Sequence, residues 1–259
     1  KKMFDAPLLF MTPNFSVPAF NDSGTVALLG QIPKYEIAYA RYKDPKYLQL
    51  LTRGNRANLY ALLYGSPIPD EAEVEPLPST IFPTSGYAII RVGDHYAALD
   101  YGPHGGWHGH YDKLGFVNYK YGVIWGVDPG SIHYGVPLQD SWFKRTVSHN
   151  TVVVNQKTQL ETTGELLRFF DSPLFALAQA SADGANKDTT FSRLLAMTNR
   201  YLLFFDLLKG KEVQQYDWVY HIYGNLTAAA QLQQVSGALG SSDGYQHIQV
   251  SQRGPGSNM

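Results

Sequence analysis

The 259-residue chain contains no cysteine, which excludes disulfide bonds and thiolate metal sites. Its 21 basic and 22 acidic residues leave a formal net charge of −1, so there is no general electrostatic case for binding nucleic acid through phosphates. No apolar run approaches the roughly 20 residues that a transmembrane helix needs. Asp5 and Pro7 interrupt the apolar patch near the start, which makes it a poor signal peptide. We therefore expect no nucleic-acid partner and no membrane span.

Apolar residues, by contrast, make up 44% of the chain, enough to bury a substantial core. The 18 tyrosines lead an aromatic share of 14%. Tyrosine suits sugar-binding grooves, because the ring stacks and the hydroxyl forms hydrogen bonds, and it suits ordinary sandwich cores equally well. The length fits one large domain or two modest ones.

The first part of the chain has helical periodicity. From about residue 23 to 66, apolar residues recur at three- and four-residue spacings, and Asp22 and Ser23 are candidate caps. We predict two to four short helices in a first domain, residues 1–66, followed by a linker rich in proline and acid at 67–81. Such a short helical segment without a strong core of its own indicates the end of a larger helical domain. We therefore expect the chain to be part of a longer protein.

After Phe82 the pattern changes to short β-type runs between turn residues, which predicts a large antiparallel sandwich over residues 82–259. The predicted fold class is therefore α+β, with a short helical segment followed by a large antiparallel β-sandwich. The predicted strands are GYAIIRV, HYAALDY, FVNYKYG, VIWGVD, NTVVVN, LLRFFD, LFALAQA, YLLFFDLL, DWVYHIYG and HIQVS.

Histidines are concentrated between residues 104 and 149. If HGH lies in a strand, alternation puts His108 and His110 on one face and Trp107 on the other. With Asp128 and His149 at the ends of later strands, these side chains could supply a metal site. Packed structural histidines are the simpler alternative, and Asp128 before Pro-Gly also suits an ordinary turn. The five histidines of this stretch are His104, His108, His110, His133 and His149.

Several segments carry a resemblance to a known family. HGHYDKLGF (108–116), VDPGS (127–131) with Tyr134 and Gly135, and RTVSHNTVVVN (145–155) resemble the heparinase II/III-like polysaccharide lyases, which include heparin, heparan sulfate and exolytic oligoalginate lyases. YLLFFDLLKG (201–210) and DWVYHIYG (217–224) resemble later strands of the same sandwich. The resemblance covers roughly residues 80–225, and the preceding helices fit the last helices of that family's (α/α) toroid. It implies the C-terminal part of a lyase that cleaves uronic-acid glycans by β-elimination.

The resemblance also implies roles for individual residues. His110, Asp128 and His149 would bind a structural divalent ion, usually zinc in this family. His108 would face the cleft and contact the acidic sugar, and Tyr134 would line the same cleft, so both are predicted catalytic residues. The family's principal base and acid lie on toroid helices upstream, and residues 1–80 contain no histidine to replace them.

Further substrate contacts are predicted beside these. His104 and Trp107 flank the motif, and Arg145 could hold a carboxylate with two hydrogen bonds, although a solvated position suits it equally well. Asp112 and Lys113 are interpreted as an exposed ion pair of little energetic value. The implied partners are an acidic polysaccharide or oligosaccharide and the missing toroid or a second copy of the chain. Periplasmic or secreted localisation follows from the resemblance alone.

Two other functions stay open at this point. A non-catalytic, metal-containing glycan-binding sandwich would keep the metal ligands without the upstream catalytic groups. A cupin-type metal enzyme also uses His-x-His with a later acid and histidine. Cupins usually carry a glutamate shortly after the paired histidines, and none occurs between His110 and His149.

Overall fold

The computed structural model describes residues 1–70, 72, 74–223 and 237–250. Within these ranges a helical segment is followed by antiparallel sheets that form a sandwich, as predicted. No helix in these ranges has the length and apolar character that crossing a bilayer requires. The α-helices are α1 (Lys2–Phe10), α2 (Ile32–Tyr42), α3 (Leu48–Leu51) and α4 (Leu59–Tyr64).

The helical segment differs from its prediction in its first part. It begins with α1, before residue 23, and TVALLGQ is not helical: Val26–Ala27 pairs with Ser16–Val17, and Leu28–Gln31 is a 3-10 turn. The segment also has its own apolar cluster, which includes Leu8 and Tyr47. In contrast, α4 has no buried residue although it is almost entirely apolar.

The strands form two main sheets and three short pairs. A five-stranded antiparallel sheet runs in chain order from β3 to β7, and a four-stranded antiparallel sheet has the order β12-β11-β10-β9. The pairs are β1 with β2, β8 with β13, and β14 with β15. The bounds are β1 (Ser16–Val17), β2 (Val26–Ala27), β3 (Thr80–Phe82), β4 (Tyr87–Val92), β5 (His95–Asp100), β6 (Phe116–Lys120), β7 (Val123–Gly126), β8 (Val152–Val154), β9 (Glu165–Asp171), β10 (Phe175–Ser181), β11 (Thr189–Thr198), β12 (Leu202–Gly210), β13 (Tyr216–Trp218), β14 (Gly237–Ala238) and β15 (Gln249–Val250).

Both faces of the five-stranded sheet are covered. On one face Ile90 and Leu99 pack against Ala178 and Leu195 of the four-stranded sheet. On the other face lies a second cluster, to which Phe20 of the N-terminal segment contributes. As a result, all six residues of β5 are buried. A strand covered on both faces needs no polar alternation.

Two features of the sandwich were not predicted. Strand β3 begins at Thr80, inside the segment predicted to be a linker. Strand β11 was missed altogether, although it pairs with β12 over its length. Its sequence TTFSRLLAMT is interrupted by Arg193, a charged residue that nevertheless points inward and is completely buried. A buried arginine hides the apolar alternation that identifies a strand.

Candidate metal centre and adjoining cleft

The HGH motif lies in a loop and not in a strand. Gly106–His108 forms a 3-10 turn, after which Gly109 is extended. A Cβ at Gly109 would lie 1.6 Å from the carbonyl oxygen of His104, so this approach requires glycine. The prediction that His108 and His110 share one face of a strand is therefore wrong. The His108 side chain is 71% exposed and that of His110 is 0% exposed.

A single carboxylate nevertheless joins the two histidines. Asp22 Oδ2 lies 3.1 Å from His108 Nδ1, and Asp22 Oδ1 lies 3.1 Å from His110 Nε2. The side-chain amide of Gln139 donates to Oδ1 at 2.5 Å. Burial opposes the charge on Asp22, but the bonds from His110 and His108 outweigh it and hold the pKa below its usual value. Asp22 is therefore an ionised acceptor, and not the helix cap that was predicted.

His110, Asp128 and His149 come together in what we call the buried centre. Each offers one ligand atom, and these atoms lie within 4.8 Å of one another. His149 Nδ1 lies 2.7 Å from Asp128 Oδ2, and the rings of His110 and His149 are 5.3 Å apart. Two imidazoles and a carboxylate are a common zinc donor set, with the fourth position left for water.

Each buried imidazole has one nitrogen facing a carboxylate. His110 Nε2 faces Asp22, which accepts its proton, and His149 Nδ1 faces Asp128. The opposite nitrogen of His110, Nδ1, is buried and has no hydrogen-bond partner among the described residues. An unpaired buried nitrogen fits a metal ligand, and a carboxylate behind the ring, here Asp22, is the usual support for one. At His149 the nitrogen and the carboxylate oxygen that face each other, Nδ1 and Asp128 Oδ2, would both bind the ion.

The two buried imidazoles have opposite pKa shifts. Burial, followed by repulsion from His149, lowers the pKa of His110. Burial also disfavours charge on His149, but the charge and hydrogen bond of Asp128 outweigh it and raise the pKa. Burial therefore decides the direction at His110, whereas the neighbouring carboxylate decides it at His149.

A layer of buried charges lies next to the centre. Asp112 and Lys113 are both buried, so their interpretation as an exposed pair is wrong. Lys113 Nζ lies 2.7 Å from Asp100 and 3.3 Å from Asp112. Burial raises the pKa of Asp100 to about 7 despite Lys113, whereas Lys113 keeps the pKa of Asp112 low against burial. Asp112 acts electrostatically on both His110 and His149, and thus adds negative charge beside the centre.

His108 and Tyr134 form what we call the open pair. Tyr134 Oη lies 3.1 Å from His108 Nδ1, and both side chains are exposed. Because Asp22 accepts from the same nitrogen, the proton belongs on Nδ1. The Nε2 of His108 takes no part in these two bonds. The structure thus brings together the two residues predicted to be catalytic.

The predicted substrate contacts lie in different environments. Trp107 is 93% exposed next to His108. Arg145 is half-buried and its Nε donates to the carbonyl of Asp140. The His104 ring is buried against Tyr111, 3.5 Å from an oxygen of Glu161. All three substrate roles stay predictions, with Trp107 the most accessible.

Sequence reasoning missed Asp22 and Gln139 in this site. Asp22 lies 86 residues before His108, in a turn where an aspartate has an ordinary structural role. Gln139 sits in a single π-helical turn, Gln139–Phe143, and its oxygen also accepts from the Ile132 amide. A π-helical turn is frequent at functional sites, but no sequence pattern marks it here.

Comparisons with known proteins identify the family to which most of the chain belongs. Residues 75–258 match the family model described as heparinase II/III-like, C-terminal. An alginate lyase of Stenotrophomonas maltophilia is 29% identical over 66% of this chain and 28% of its own length. An exo-oligoalginate lyase of Saccharophagus degradans is 25% identical over 57% of this chain and 24% of its own. The chain thus spans about a quarter of the length of these relatives.

Solved structures share the fold. A heparinase III has a TM-score of 0.73 at 19% identity, covering 88% of this chain and 34% of its own. A heparan sulfate lyase from Pedobacter heparinus has a TM-score of 0.72 at 14% identity, covering 87% and 35%. The family match disfavours the cupin-type alternative.

Proposed function

Because the chain belongs to the heparinase II/III-like family and matches its C-terminal domain, we propose that it is the sandwich part of a polysaccharide lyase. The proposed reaction is β-elimination at a uronic-acid glycosidic bond, and the substrate is an acidic polysaccharide or oligosaccharide. The observation that carries the proposal is the open pair beside the buried centre: His108 and Tyr134 are exposed and 3.1 Å apart. Alginate is the first substrate to test, since both curated relatives are named for it.

In β-elimination the C5 proton is weakly acidic, so the enzyme must stabilise the charge that develops on the neighbouring carboxylate. We assign this work on the sandwich side to the open pair. The Nδ1–H of His108 is held by Asp22, which fixes the ring and leaves Nε2 for the sugar. A protonated His108 would neutralise the carboxylate, and the hydroxyl of Tyr134 can move a proton at the same position.

The buried centre is assigned a zinc ion held by His110, Asp128 and His149. When bound, the ion supplies a fixed cross-link between the loops that carry these residues. His108 lies on the same loop as His110, two residues away, so fixing His110 also fixes the position of His108 relative to Asp22. The proposed role of the ion is to hold these loops in position. All three of its proposed ligands come from the protein, so the ion does not require the substrate as a ligand.

The remaining catalytic groups are assigned to a helical domain. We propose that residues 1–66 are the last helices of an α/α toroid, that 67–81 lead out of it and that 82–259 are the sandwich domain. The apolar surface of α4 is consistent with a neighbouring helix. His104, Trp107 and Arg145 are proposed contacts to the rest of the glycan. Export to the periplasm or the cell surface follows from the resemblance.

The test is formation of the unsaturated uronate product from alginate, heparan sulfate and chondroitin, followed by ultraviolet absorbance. The lyase that contains this chain should form it from at least one polymer, and His108→Ala should suppress it. The 259-residue chain alone should form little or none, because the resemblance places the family's principal base and acid on toroid helices upstream, and no histidine precedes β3. Robust product from the chain alone would show that the catalytic centre is misplaced and must be built from His104, His108 or Tyr134.

One observation favours a second candidate, a non-catalytic glycan-binding sandwich. Among the described residues before β3 there is no histidine, and the tyrosines there follow helical spacings that suit packing. Under this alternative, the whole protein would bind uronate oligomers without forming product. Calorimetric binding with no absorbance change would favour it over the lyase.

A further inference from the structure

We propose that Arg193 is a positioning residue for the buried centre: from the opposite sheet it holds in register the three loops that carry His110, Asp128 and His149. This inference rests on the proposed metal site. It concerns a residue of β11, a strand that lies outside the segments quoted for the family resemblance. Arg193 is completely buried, with 0% of its surface exposed. A buried arginine requires a complete set of acceptors.

The acceptors of Arg193 lie on two sides. Its Nε and Nη2 donate to the two oxygens of Asp206, both at 2.7 Å, in a bidentate pair within the four-stranded sheet. Its Nη1 donates to the carbonyl oxygens of Leu114 at 2.7 Å and Asn150 at 2.8 Å. Leu114 lies four residues after His110 in the loop between β5 and β6, and Asn150 directly follows His149. One nitrogen therefore joins two of the three ligand loops.

The third loop is joined through Asn150. Its side-chain amide donates to the carbonyls of Phe116 and Val127, both at 2.8 Å, and its Oδ1 accepts from the backbone N–H of His221 at 2.6 Å. Val127 directly precedes Asp128. Arg193 and Asn150 together therefore contact all three ligand loops. The contacts are at Leu114 in the His110 loop, at Val127 beside Asp128, and at Asn150 itself beside His149.

Backbone strain shows that this loop needs holding. Leu114 has a φ of 59°, the left-handed region that a leucine rarely adopts, and its side chain is fully buried. Its N–H donates to Asp100 and its carbonyl accepts from Arg193. Such strain persists where the surroundings determine the conformation. Losing the Arg193 bond should let the loop relax and displace His110.

The geometry favours arginine over lysine at this position. The planar guanidinium donates hydrogen bonds to four acceptor atoms. Its central carbon also lies 5.2 Å from the Phe116 ring centroid and 5.5 Å from that of Phe191. An ammonium group has three hydrogens on one atom and cannot span the carboxylate and both carbonyls. Arg193→Lys therefore keeps the charge and most of the volume but removes the simultaneous contacts.

Arg91 provides a matched control. It is a half-buried arginine of the other main sheet, its Nη2 donates to the carbonyls of Leu9 and Met11, and its guanidinium carbon lies 4.9 Å from the Tyr96 ring centroid. These contacts join the sandwich to the helical segment and touch none of the ligand loops. Arg91→Lys should disturb folding in the same way without reaching the buried centre.

The experiment measures Zn²⁺ affinity of the 259-residue chain by competition with a chromogenic chelator, together with the melting temperature of the metal-free protein. We expect Arg193→Lys to weaken Zn²⁺ binding by at least about tenfold, the range for residues that orient metal ligands. Arg91→Lys should stay within about threefold of the wild type, even if it lowers the melting temperature as much. Equal affinities for the two variants would overturn the proposal.

Two further outcomes are separable. If Arg193→Lys does not fold, Asp206→Asn, which removes the carboxylate that holds the guanidinium, should weaken binding by a similar factor, and unchanged affinity there would overturn the proposal. If the wild-type chain binds no Zn²⁺, the buried centre itself is wrong and the positioning role falls with it. If the wild type binds tightly and the Arg193 variant binds equally well, the centre stands and the role of Arg193 is wrong.

Discussion

His108 and His110 are two residues apart and contact the same carboxylate, yet they occupy opposite environments. His108 is 71% exposed beside Tyr134, whereas His110 is 0% exposed beside His149. Asp22 orients both rings, and the surroundings decide what the other ring nitrogen can do. In the open pair that nitrogen is available to a substrate. In the buried centre it is available to an ion.

Under the proposed function, this difference separates stability from turnover within one short motif. The buried centre concentrates carboxylates around two imidazoles, which suits a divalent cation that remains bound. The open pair has little packing to lose, since both side chains are exposed. Changes in the buried centre should therefore be seen first in folding, and changes in the open pair first in catalysis.

The largest expected effect is on the buried centre. His110→Ala removes a fully buried ring and a proposed ligand, and it should lower the free energy of unfolding by about 3 kcal/mol, as for other large-to-small core changes. Chelation of the wild type should lower it by about 3 kcal/mol when the ion had been present at 100 times its Kd. Chemical denaturation with and without chelator measures both. As the matching control, adding chelator to His110→Ala should leave its free energy of unfolding unchanged.

The next effect is on the open pair. His108→Ala should leave the melting temperature near that of the wild type and reduce turnover of the whole lyase by at least about tenfold, the lower range for a positioned proton-transfer or charge-stabilising group. Tyr134→Phe, which removes one hydroxyl, should likewise leave folding intact. An unfolded His108→Ala protein would contradict the assignment of this ring to the cleft.

Asp22→Asn should affect both the buried centre and the open pair, each more weakly than the substitutions above. The amide keeps the shape but cannot accept from both histidines with a full negative charge. Zn²⁺ affinity should fall by about tenfold, as for residues that support metal ligands, and turnover should fall in the same variant. If one property changes without the other, Asp22 does not join the two halves of the site.

The smallest effect is a pH dependence of folding. Burial is the main cause that lowers the pKa of His95, His110 and His221 from 6.5. Below about pH 6.5 the unfolded state therefore binds protons that the folded state does not. Stability from these residues is present above that pH and is lost as the pH falls. His149, whose pKa is raised, contributes in the opposite sense, with stability lost as the pH rises through its folded-state pKa.

His95 lies outside the buried centre, with Nδ1 bonded to the carbonyl of Thr198. Asp100 and His149, whose pKa values are raised, act in the opposite sense to His95, so its contribution is read from the difference between the wild type and His95→Gln. Between pH 7.5 and pH 5 the metal-free wild type should lose on the order of 1 kcal/mol of unfolding free energy relative to His95→Gln. The Zn²⁺ affinity of the two proteins should be the same. A profile that is unchanged by this substitution would show that His95 does not contribute.

The sequence predicted the parts of this site that local patterns mark. The three proposed ligands and the open pair lie on recognisable motifs, and the alternating runs predicted most strands. Asp22 escaped prediction because its partners are far away in the chain, and β11 escaped because Arg193 interrupts its apolar alternation. Burial of Asp112 and Lys113 depends on the tertiary contact with Asp100, which no local pattern reveals. Long-range polar contacts were therefore the unpredictable part.

The most direct test is the metal content of His108→Ala and His110→Ala, purified side by side without chelator and analysed by elemental mass spectrometry. The two substitutions remove the same ring from the same motif, and both rings contact Asp22. We predict one divalent ion, zinc, per chain in the wild type and in His108→Ala, and none in His110→Ala. Equal metal content in the two variants, whether retained or lost, would contradict the division of the motif into a buried metal ligand and an open substrate contact.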